Sequence, residues 1–254
     1  MSRRLAGFMI DCRGTDLAAA RTFWSLALGL PVLDPDEGSD GRYAVLGASA
    51  GALHVEVQMV EHESRLHLDI EADDIDTQAA ALEALGAERI SNPHGRWWVM
   101  QAPGGHRFCV IRKRDPEPAS APIRTARRDG HRSALIALVI DCQVETLDEA
   151  LAFWSAALHR PIASRDQDGD GKYAELETAA HEPFLLLQKV AHAARVHLDI
   201  ETDNLDAEME RLQALGAEPI EFVRRWWVMQ APTGHRFCVV RQQPSKIRVA
   251  LNAW

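Results

Sequence analysis

An α+β fold made of four βαβββ modules, two in each half of the chain, is predicted by three observations. The sequence repeats itself, since residues 96–112 read RWWVMQAPGGHRFCVIR and residues 225–241 read RWWVMQAPTGHRFCVVR. Each half contains two places where a short apolar alternation leads into a helical spacing of apolar residues. Short strand-like runs follow each helical segment, so every unit begins with a strand, continues with a helix and ends with strands.

The repeat predicts two domains in tandem. The segment HLDIE at His67 matches HLDIE at His197, an offset of 130 residues, whereas residues 96–112 match residues 225–241 at an offset of 129. The second copy therefore lacks one residue near Asn92. Self-similarity at a fixed spacing is typical of duplicated structural units.

The domain boundaries follow from this register. The first domain is expected at residues 1–113 and the second at residues 134–243. Residues 114–133 between them are rich in Pro, Ala and Arg and lack an apolar period, which predicts a linker on the surface. Residues 244–254 form a C-terminal tail.

Two helices are predicted in the first copy. Asp16 and Asp74 stand where an N-cap residue is expected, and Gly29 and Gly86 stand where a left-handed residue ends a helix. The first helix carries a buried stripe of apolar residues three to four positions apart, which consists of Leu17, Ala20, Phe23, Trp24 and Ala27.

The composition excludes several classes of protein. The chain has 254 residues, a formal charge of −9 and 46% hydrophobic residues, which is enough for a packed core. The absence of a long apolar run argues against a transmembrane helix or a secretory signal, and net acidity argues against a nucleic-acid-binding face. We therefore expect a cytoplasmic protein with no nucleic-acid or membrane partner. The four cysteines form no CxxC pair, so reduced thiols are expected.

Strands are predicted within residues 42–47, 53–60, 96–102 and 106–112. Alternate side chains of a strand face opposite ways, so when Phe8 and Ile10 face the helices, Met9 and Asp11 face away. If the sheet curls around a cavity, the same rule makes Gln58, His67, Asp69, Arg107 and Cys109 line it. The equivalent positions in the second copy are Gln188, His197, Asp199, Arg236 and Cys238. The neighbouring indoles must face opposite ways, and all four are candidates: Trp97, Trp98, Trp226 and Trp227.

The segments IDC…FWSLALG, RLHLDIEADD…ALGA and WWVMQAPGGHRFCV resemble the vicinal oxygen chelate superfamily. This superfamily includes glyoxalase I, bleomycin-resistance proteins, fosfomycin-resistance enzymes and extradiol dioxygenases. The likeness is strongest to glyoxalase-like domains and covers both copies. It implies two glyoxalase-like domains, each with a cup inside a curved sheet.

The resemblance also implies where a metal would bind. Family members that depend on a divalent ion hold it at positions that correspond here to Gly7, Gln58, His67 and Cys109, and in the second copy to Ala137, Gln188, His197 and Cys238. Gly and Ala offer no donor atom, and a thiol replaces a carboxylate, so we expect the usual ligand set to be degraded and no cofactor to be bound. A divalent metal remains open, and its remaining candidate ligands are Glu56, His67 and His197.

Several site residues have two interpretations. His67 and His197 suit a ligand or proton-transfer role, or equally a structural contact in which Asp69 or a neighbouring strand holds the imidazole. Cys109 suits a nucleophile activated by Arg107, or a packing thiol. The acidic segment at residues 166–171 resembles a calcium loop, but its flanks favour an ordinary loop between strands.

Two classes of function follow. The first is a protein that binds a small organic molecule in its cups without turnover, and the net acidity slightly favours a cationic ligand. The alternative is a glyoxalase-like lyase, isomerase or dioxygenase, with a metal or with His67 or His197 as a base. The sequence leaves catalysis open. Four modules in one chain imitate two single-domain subunits, so both a monomer and a homodimer remain open.

Overall fold

The computed structural model describes residues 3–14, 16–33, 41–47, 53–113, 130–166, 171–179, 182–242 and 252–253. The predicted linker, the C-terminal tail and the loop at residues 166–171 lie largely outside these residues. Among the described helices, none combines the length and the apolar character that crossing a bilayer requires.

The first half contains two βαβββ modules. The first module consists of β1 (Arg3–Arg13), α1 (Leu17–Leu28), a single bridge from Val32 to Leu46, β2 (Tyr43–Leu46) and β3 (His54–Val60). The second module consists of β4 (Arg65–Ala72), α2 (Ile75–Glu83), β5 (Glu88–Ser91), a 3₁₀ turn (Pro93–Gly95), β6 (Trp97–Gln101) and β7 (Arg107–Arg112). The strands pair in the order β2-β3-β1-β4-β7-β6-β5.

The second half repeats this arrangement. Its third module consists of β8 (Arg132–Cys142), α3 (Asp148–Leu158), β9 (Ile162–Arg165), β10 (Tyr173–Leu176) and β11 (Phe184–Lys189). The fourth module consists of β12 (Arg195–Thr202), α4 (Leu205–Ala214), β13 (Glu218–Val223), β14 (Trp226–Gln230) and β15 (Arg236–Arg241). The order is β13-β14-β15-β12-β8-β11-β10-β9, and β16 (Asn252–Ala253) pairs with the start of β8. The predicted α+β class and its four βαβββ modules are confirmed.

The first strand of each half joins two modules into one sheet. Strand β1 pairs parallel with β3, which places Asp11 opposite Gln58, and antiparallel with β4, which places Met9 opposite His67. Strand β7 then pairs parallel with β4, with Cys109 opposite Asp69. Polar residues that are distant in the sequence therefore meet on one face of the sheet.

The helix ends follow the predicted pattern. The carboxylate of Asp16 accepts a hydrogen bond from the backbone N–H of Ala19 at 2.9 Å, and Gly29 ends α1 with a φ of 67°. Asp74 caps α2 through the backbone N–H groups of Asp76 and Thr77. These bonds satisfy donors that the first turn of a helix leaves free.

The alternation of faces is confirmed by the core. Phe8, Ile10, Leu68 and Phe108 are almost completely buried on the helix side of the sheet, together with Trp24 of α1. The helical stripe is buried as predicted except at Leu17, which only packs against the edge of the core.

The two halves pack against each other through reciprocal contacts. The Trp24 ring lies 6.0 Å from Phe237, and the Trp154 ring lies 5.7 Å from Phe108. The turn before each last strand also crosses the interface, because Nε2 of His106 donates to the backbone oxygen of Asp141 at 3.0 Å. Nε2 of His235 likewise donates to the backbone oxygen of Arg65 at 3.1 Å. The repeated segment thus forms a large part of the interface between the halves.

One of the two differences within the repeated segment, Gly104/Thr233, lies at this interface. The Thr233 hydroxyl lies 2.9 Å from Nδ1 of His235 and accepts a hydrogen bond from the Trp24 indole at 3.1 Å. The first copy has Gly104 instead, and Nδ1 of the buried His106 has no hydrogen-bond partner among the described residues.

We predict that Gly104→Thr stabilises the protein. A Cβ at Gly104 would lie 3.3 Å from Nδ1 of His106, so a threonine hydroxyl can donate to this nitrogen after a small adjustment. The gain should be about 1 kcal/mol in the free energy of unfolding. Urea denaturation should show this gain for Gly104→Thr and a comparable loss for Thr233→Gly. Gly104→Ala is the matched control, and a gain equal to that of Gly104→Thr would contradict the hydrogen bond.

We also predict that His106 and His235 make folding pH-dependent. Burial lowers the pKa of both side chains, because it disfavours the charged form more than their backbone hydrogen bonds favour it. At these two positions the unfolded chain therefore binds more protons below about pH 6.5, and their contribution to the free energy of unfolding should fall as the pH drops from 7.5 to 5. His106→Gln with His235→Gln retains an N–H donor without a titration, so the urea midpoint of the wild type should fall relative to that of this variant over this range. An unchanged pH dependence would contradict this origin.

Candidate functional site

The concave face of the first sheet encloses a cavity of about 800 Å³. Strands β1, β2, β3, β4, β6 and β7 and the 3₁₀ turn contribute to its walls. Pro93 and His94 of that turn line the cavity. The turn lies where the first copy has one residue more than the second, and the sequence did not predict that this region belongs to the site. The second copy has the longer strand β13 here, which ends in a turn at Arg224 with a φ of 56°.

The structure places six of the sequence-predicted residues of the first half on this cavity: Gln58, His67, Asp69, Trp97, Arg107 and Cys109. Trp98 does not line it. Its indole packs against the core, donates to Oδ1 of Asp76 at 2.7 Å and lies under the guanidinium of Arg89. One indole of the pair thus faces each side of the sheet, as the alternation predicts.

The candidates of the second half lie on the equivalent strands. Gln188, His197, Asp199, Trp226, Arg236 and Cys238 occupy β11, β12, β14 and β15. Trp227 packs against the core in the same way as Trp98.

A buried carboxylate organises the polar wall of the cavity. Asp11 is only 1% exposed, and its Oδ2 accepts hydrogen bonds from Nδ1 of His67 at 2.9 Å and from Nε of Arg65 at 3.2 Å. Nε2 of His62 lies 3.8 Å away. Burial alone would raise the pKa of Asp11, but its hydrogen bond to His67 and the charges of His67, Arg65 and His62 lower it. Asp11 was not among the predicted site residues, although the alternation placed it on this face.

The second half contains the same arrangement. Oδ2 of Asp141 lies 2.9 Å from Nδ1 of His197, 3.0 Å from Nε of Arg195 and 3.6 Å from Nε2 of His192. Burial alone would raise the pKa of Asp141, but His197 and Arg195 outweigh it and lower the pKa. The main partner of each imidazole is therefore an aspartate on the neighbouring strand, which is one of the two structural contacts that the sequence left open, while Asp69 and Asp199 lie 3.4 Å from the other ring nitrogen.

His67 stands at the centre of a cluster of potential ligands. A ring nitrogen of His67, a carboxylate oxygen of Asp69 and the sulfur of Cys109 all lie within 4.8 Å of one another. Burial would lower the pKa of His67, but Cys109 and the hydrogen bonds to Asp11 and Asp69 raise it well above its usual value. The equivalent cluster in the second half consists of His197, Asp199 and Cys238.

Glu56 and His67 both line the cavity, and a metal held between them stays a prediction. Both residues are register partners of Met9, so strand β1 separates them. Glu56 forms an ion pair with His54 on its own strand, whereas His67 is grouped with Asp69 and Cys109.

The metal-ligand positions that the resemblance implies do not form a complete set. A Cβ at Gly7 would lie 1.9 Å from the backbone oxygen of His54, which leaves no room there for a ligand side chain. The Gln58 amide donates to the Tyr43 hydroxyl at 3.1 Å. The described residues offer an imidazole, a carboxylate and a thiol instead, a set that suits a borderline ion such as Zn²⁺ better than a hard one.

The structure also argues against an activated Cys109. Burial raises the pKa of its thiol, and the nearby charge of His67 offsets this rise only in part. Arg107 is not among the groups that lower it. The hypothesis that Arg107 activates a nucleophilic thiolate is therefore corrected.

The cavity is richer in cations than the whole chain. Its lining contains four arginines against three carboxylates, namely Arg42, Arg65, Arg96 and Arg107 against Asp11, Glu56 and Asp69. Nη1 of Arg107 is buried and makes no hydrogen bond within the described part of the chain. The local charge is thus opposite to the one that the net charge of −9 suggested.

The concave face of the second half is more apolar. Phe184 and Leu186 stand at the positions of His54 and Glu56, and they pack together with Ala137, Val139 and Val240. The two cups therefore share the aspartate–histidine cluster but differ in the rest of their linings.

The sequence model of a glyoxalase-like domain family matches residues 7–111 and again residues 137–240. No curated protein sequence matches the chain.

Solved structures of glyoxalases and dioxygenases share the fold. The Mn(II)-bound glyoxalase from Novosphingobium aromaticivorans is 17% identical, with 99% of this chain and 85% of that chain covered and a TM-score of 0.63. The 2,3-dioxygenase LapB from Pseudomonas sp. KL28 is 13% identical, with 95% and 94% covered and a TM-score of 0.60. Homoprotocatechuate 2,3-dioxygenase from Arthrobacter globiformis is 18% identical, with 97% and 83% covered and a TM-score of 0.60.

We predict that the thiols of the folded protein react slowly. Burial raises the pKa of Cys12 and Cys142 to about 12, and all four cysteines are free and buried or half-buried. Iodoacetamide at pH 8 should therefore label the folded chain at least ~100-fold more slowly than free cysteine, since the thiolate is the reactive form. Mass spectrometry should find four labels after unfolding in urea. Rapid labelling of Cys109 in the folded protein would revive the nucleophile hypothesis.

Proposed function

Since the chain belongs to the glyoxalase-like domain family, we propose that the cavity of its first half binds a small organic anion. The anionic group lies on Arg107, and the planar part of the ligand lies against Trp97. The observation that carries this proposal is the buried Nη1 of Arg107 at the cavity wall, which has no hydrogen-bond partner among the described residues.

The unsatisfied guanidinium favours an anion for an energetic reason. A buried donor without a partner costs about 1–3 kcal/mol. A carboxylate, sulfonate or phosphate oxygen satisfies the donor and forms a charge-assisted hydrogen bond. Arg96, at the rim of the same cavity, adds a second positive charge.

The carboxylates of the wall do not cancel this preference. Asp11 is paired with His67 and Arg65, Glu56 is paired with His54, and the third carboxylate, Asp69, lies 3.4 Å from Nε2 of His67. An entering anion therefore meets mainly guanidinium groups.

The size and the walls of the cavity suit an organic molecule. A volume of about 800 Å³ lies within the range of small-molecule pockets. The Trp97 indole offers a flat apolar wall, and Met9 and Val99 extend the apolar part of the lining.

The first half is the more suitable binding site. Its cavity is lined by Glu56 and by Pro93 and His94 of the 3₁₀ turn, whereas the second half has Leu186 at the position of Glu56 and Phe184 at the position of His54. The alternative function, a glyoxalase-like lyase, isomerase or dioxygenase, has less support, because Gly7 leaves no room for the first ligand of the family's usual metal set.

We predict that an anionic aromatic probe binds more tightly than its neutral counterpart. The probes are 8-anilinonaphthalene-1-sulfonate and N-phenyl-1-naphthylamine, which share their rings but differ in the sulfonate. Probe fluorescence and quenching of tryptophan emission give the affinity. Arg107→Met should weaken sulfonate binding at least about tenfold, or about 1.4 kcal/mol, and should leave the neutral probe unaffected.

Arg236→Met is the matched control. Nη1 of Arg236, at the equivalent position of the second half, also lacks a hydrogen-bond partner among the described residues, but the apolar Phe184 and Leu186 stand in that half in place of His54 and Glu56. Arg236→Met should therefore weaken sulfonate binding much less than Arg107→Met does. Equal losses in both variants, or equal affinities for the two probes, would contradict the proposed site.

A further inference from the structure

We propose that each half binds one zinc ion through a histidine, an aspartate and a cysteine. The ligands of the first site are His67, Asp69 and Cys109, and those of the second site are His197, Asp199 and Cys238. The donor atoms of each set lie within 4.8 Å of one another. This inference does not depend on the proposed binding of an organic anion.

The strand register builds each ligand set. His67 and Asp69 are two residues apart on β4, so their side chains share the concave face. Cys109 is the register partner of Asp69 on the parallel strand β7. Asp199 and Cys238 pair in the same way on β12 and β15.

Each imidazole is oriented for coordination. Nδ1 of His67 donates to Asp11 at 2.9 Å, which leaves Nε2 directed towards Asp69. His197 is held by Asp141 at the same distance. A carboxylate that accepts the Nδ1–H hydrogen bond fixes the tautomer of the histidine and raises its basicity. Zinc-binding histidines commonly have such a partner.

The aspartates carry buried oxygen atoms whose polar contacts are long. Asp69 is 5% exposed, and among the described residues its Oδ1 has only the contact with Nε2 of His67 at 3.4 Å. Oδ1 of Asp199 is in the same situation. A cation between imidazole, carboxylate and thiol would satisfy these buried oxygens.

The donor types select zinc. A thiolate and an imidazole favour a borderline ion, whereas Mn²⁺ prefers oxygen donors. Three protein ligands leave the fourth tetrahedral position of zinc open. The Cys109 thiol and Nε2 of His67 each release a proton to solvent when the metal binds. The set differs from the one implied by the family resemblance, because Asp69 takes part and positions Gly7 and Gln58 do not.

The second half contains the same three donors although the rest of its lining is more apolar, so the cluster is not explained by a generally polar pocket. His54 and Glu56 of the first cup are replaced by Phe184 and Leu186, yet the second half contains every member of the cluster, including the supporting aspartate. Two linings that differ elsewhere thus present the same three donors.

The test is a titration of the full-length protein, stripped with a chelator, with Co²⁺ alone. Cobalt replaces zinc and reports a bound thiolate through a charge-transfer absorption band in the near ultraviolet. We expect saturation at two equivalents of Co²⁺, one for each cluster. Added Zn²⁺ should abolish the band, and an equal concentration of Mn²⁺ should leave it unchanged.

Variants assign the band to the two sites. Cys109→Ser should remove about half of the absorbance, and Cys109→Ser with Cys238→Ser should remove all of it. Asp69→Asn should weaken cobalt binding at the first site at least about tenfold. Cys12→Ser with Cys142→Ser is the matched control, because these thiols lie in the core on the helix side of the sheet, and the band should persist.

The proposal fails if no charge-transfer band forms, or if the band survives in the Cys109→Ser, Cys238→Ser double variant. Circular dichroism checks that each variant is folded. If a site variant does not fold, X-ray absorption of zinc bound to the wild-type protein decides the matter. One sulfur ligand for each zinc supports the sites, and the absence of sulfur overturns them.

Discussion

A negative charge buried in the central strand of each sheet is the constraint on which the polar architecture depends. Asp11 and Asp141 are each 1% exposed, so each needs positive partners close by. An arginine and a histidine from the adjacent antiparallel strand meet that need at about hydrogen-bonding distance. This requirement fixes the orientation of the imidazole, and the orientation of the imidazole decides which atoms face Asp69 and Cys109. The geometry of the candidate site therefore follows from the need of each buried carboxylate for positively charged partners.

Much of the fold could be predicted from the sequence because its signals are local. Asp16 and Gly29 mark the ends of a helix within a few residues of themselves, and the period of two along β3 separates His54, Glu56 and Gln58 from the core residues between them. The duplicated segments supplied the number of modules without any knowledge of how they pack.

The site could be predicted only in part, because strand register is not a local property. The alternation placed His67, Asp69 and Cys109 on one face, but it could not show that Cys109 lies opposite Asp69, or that β1 separates Glu56 from His67. The net charge of the chain gave the wrong sign for the charge of the cavity. It sums over all residues, whereas the cavity is lined by a few strands that carry several arginines. The role of Asp11 was missed because its partners lie more than fifty residues along the chain.

Residues 96–112 and 225–241 have two neighbours at once. One face of β7 presents Arg107 and Cys109 to the cavity of its own half, while Phe108 on the other face and His106 in the preceding turn contact the opposite half. This stretch contacts two surfaces at once in each copy, and the two copies differ at only Gly104/Thr233 and Ile111/Val240. Either half cut away from the other would expose its tryptophan-bearing helix and the back of its last strand, so the natural substitute for the lost surface would be a second copy of itself. The seam between the halves is thus nearly the same from either side, whereas the interiors that it joins differ.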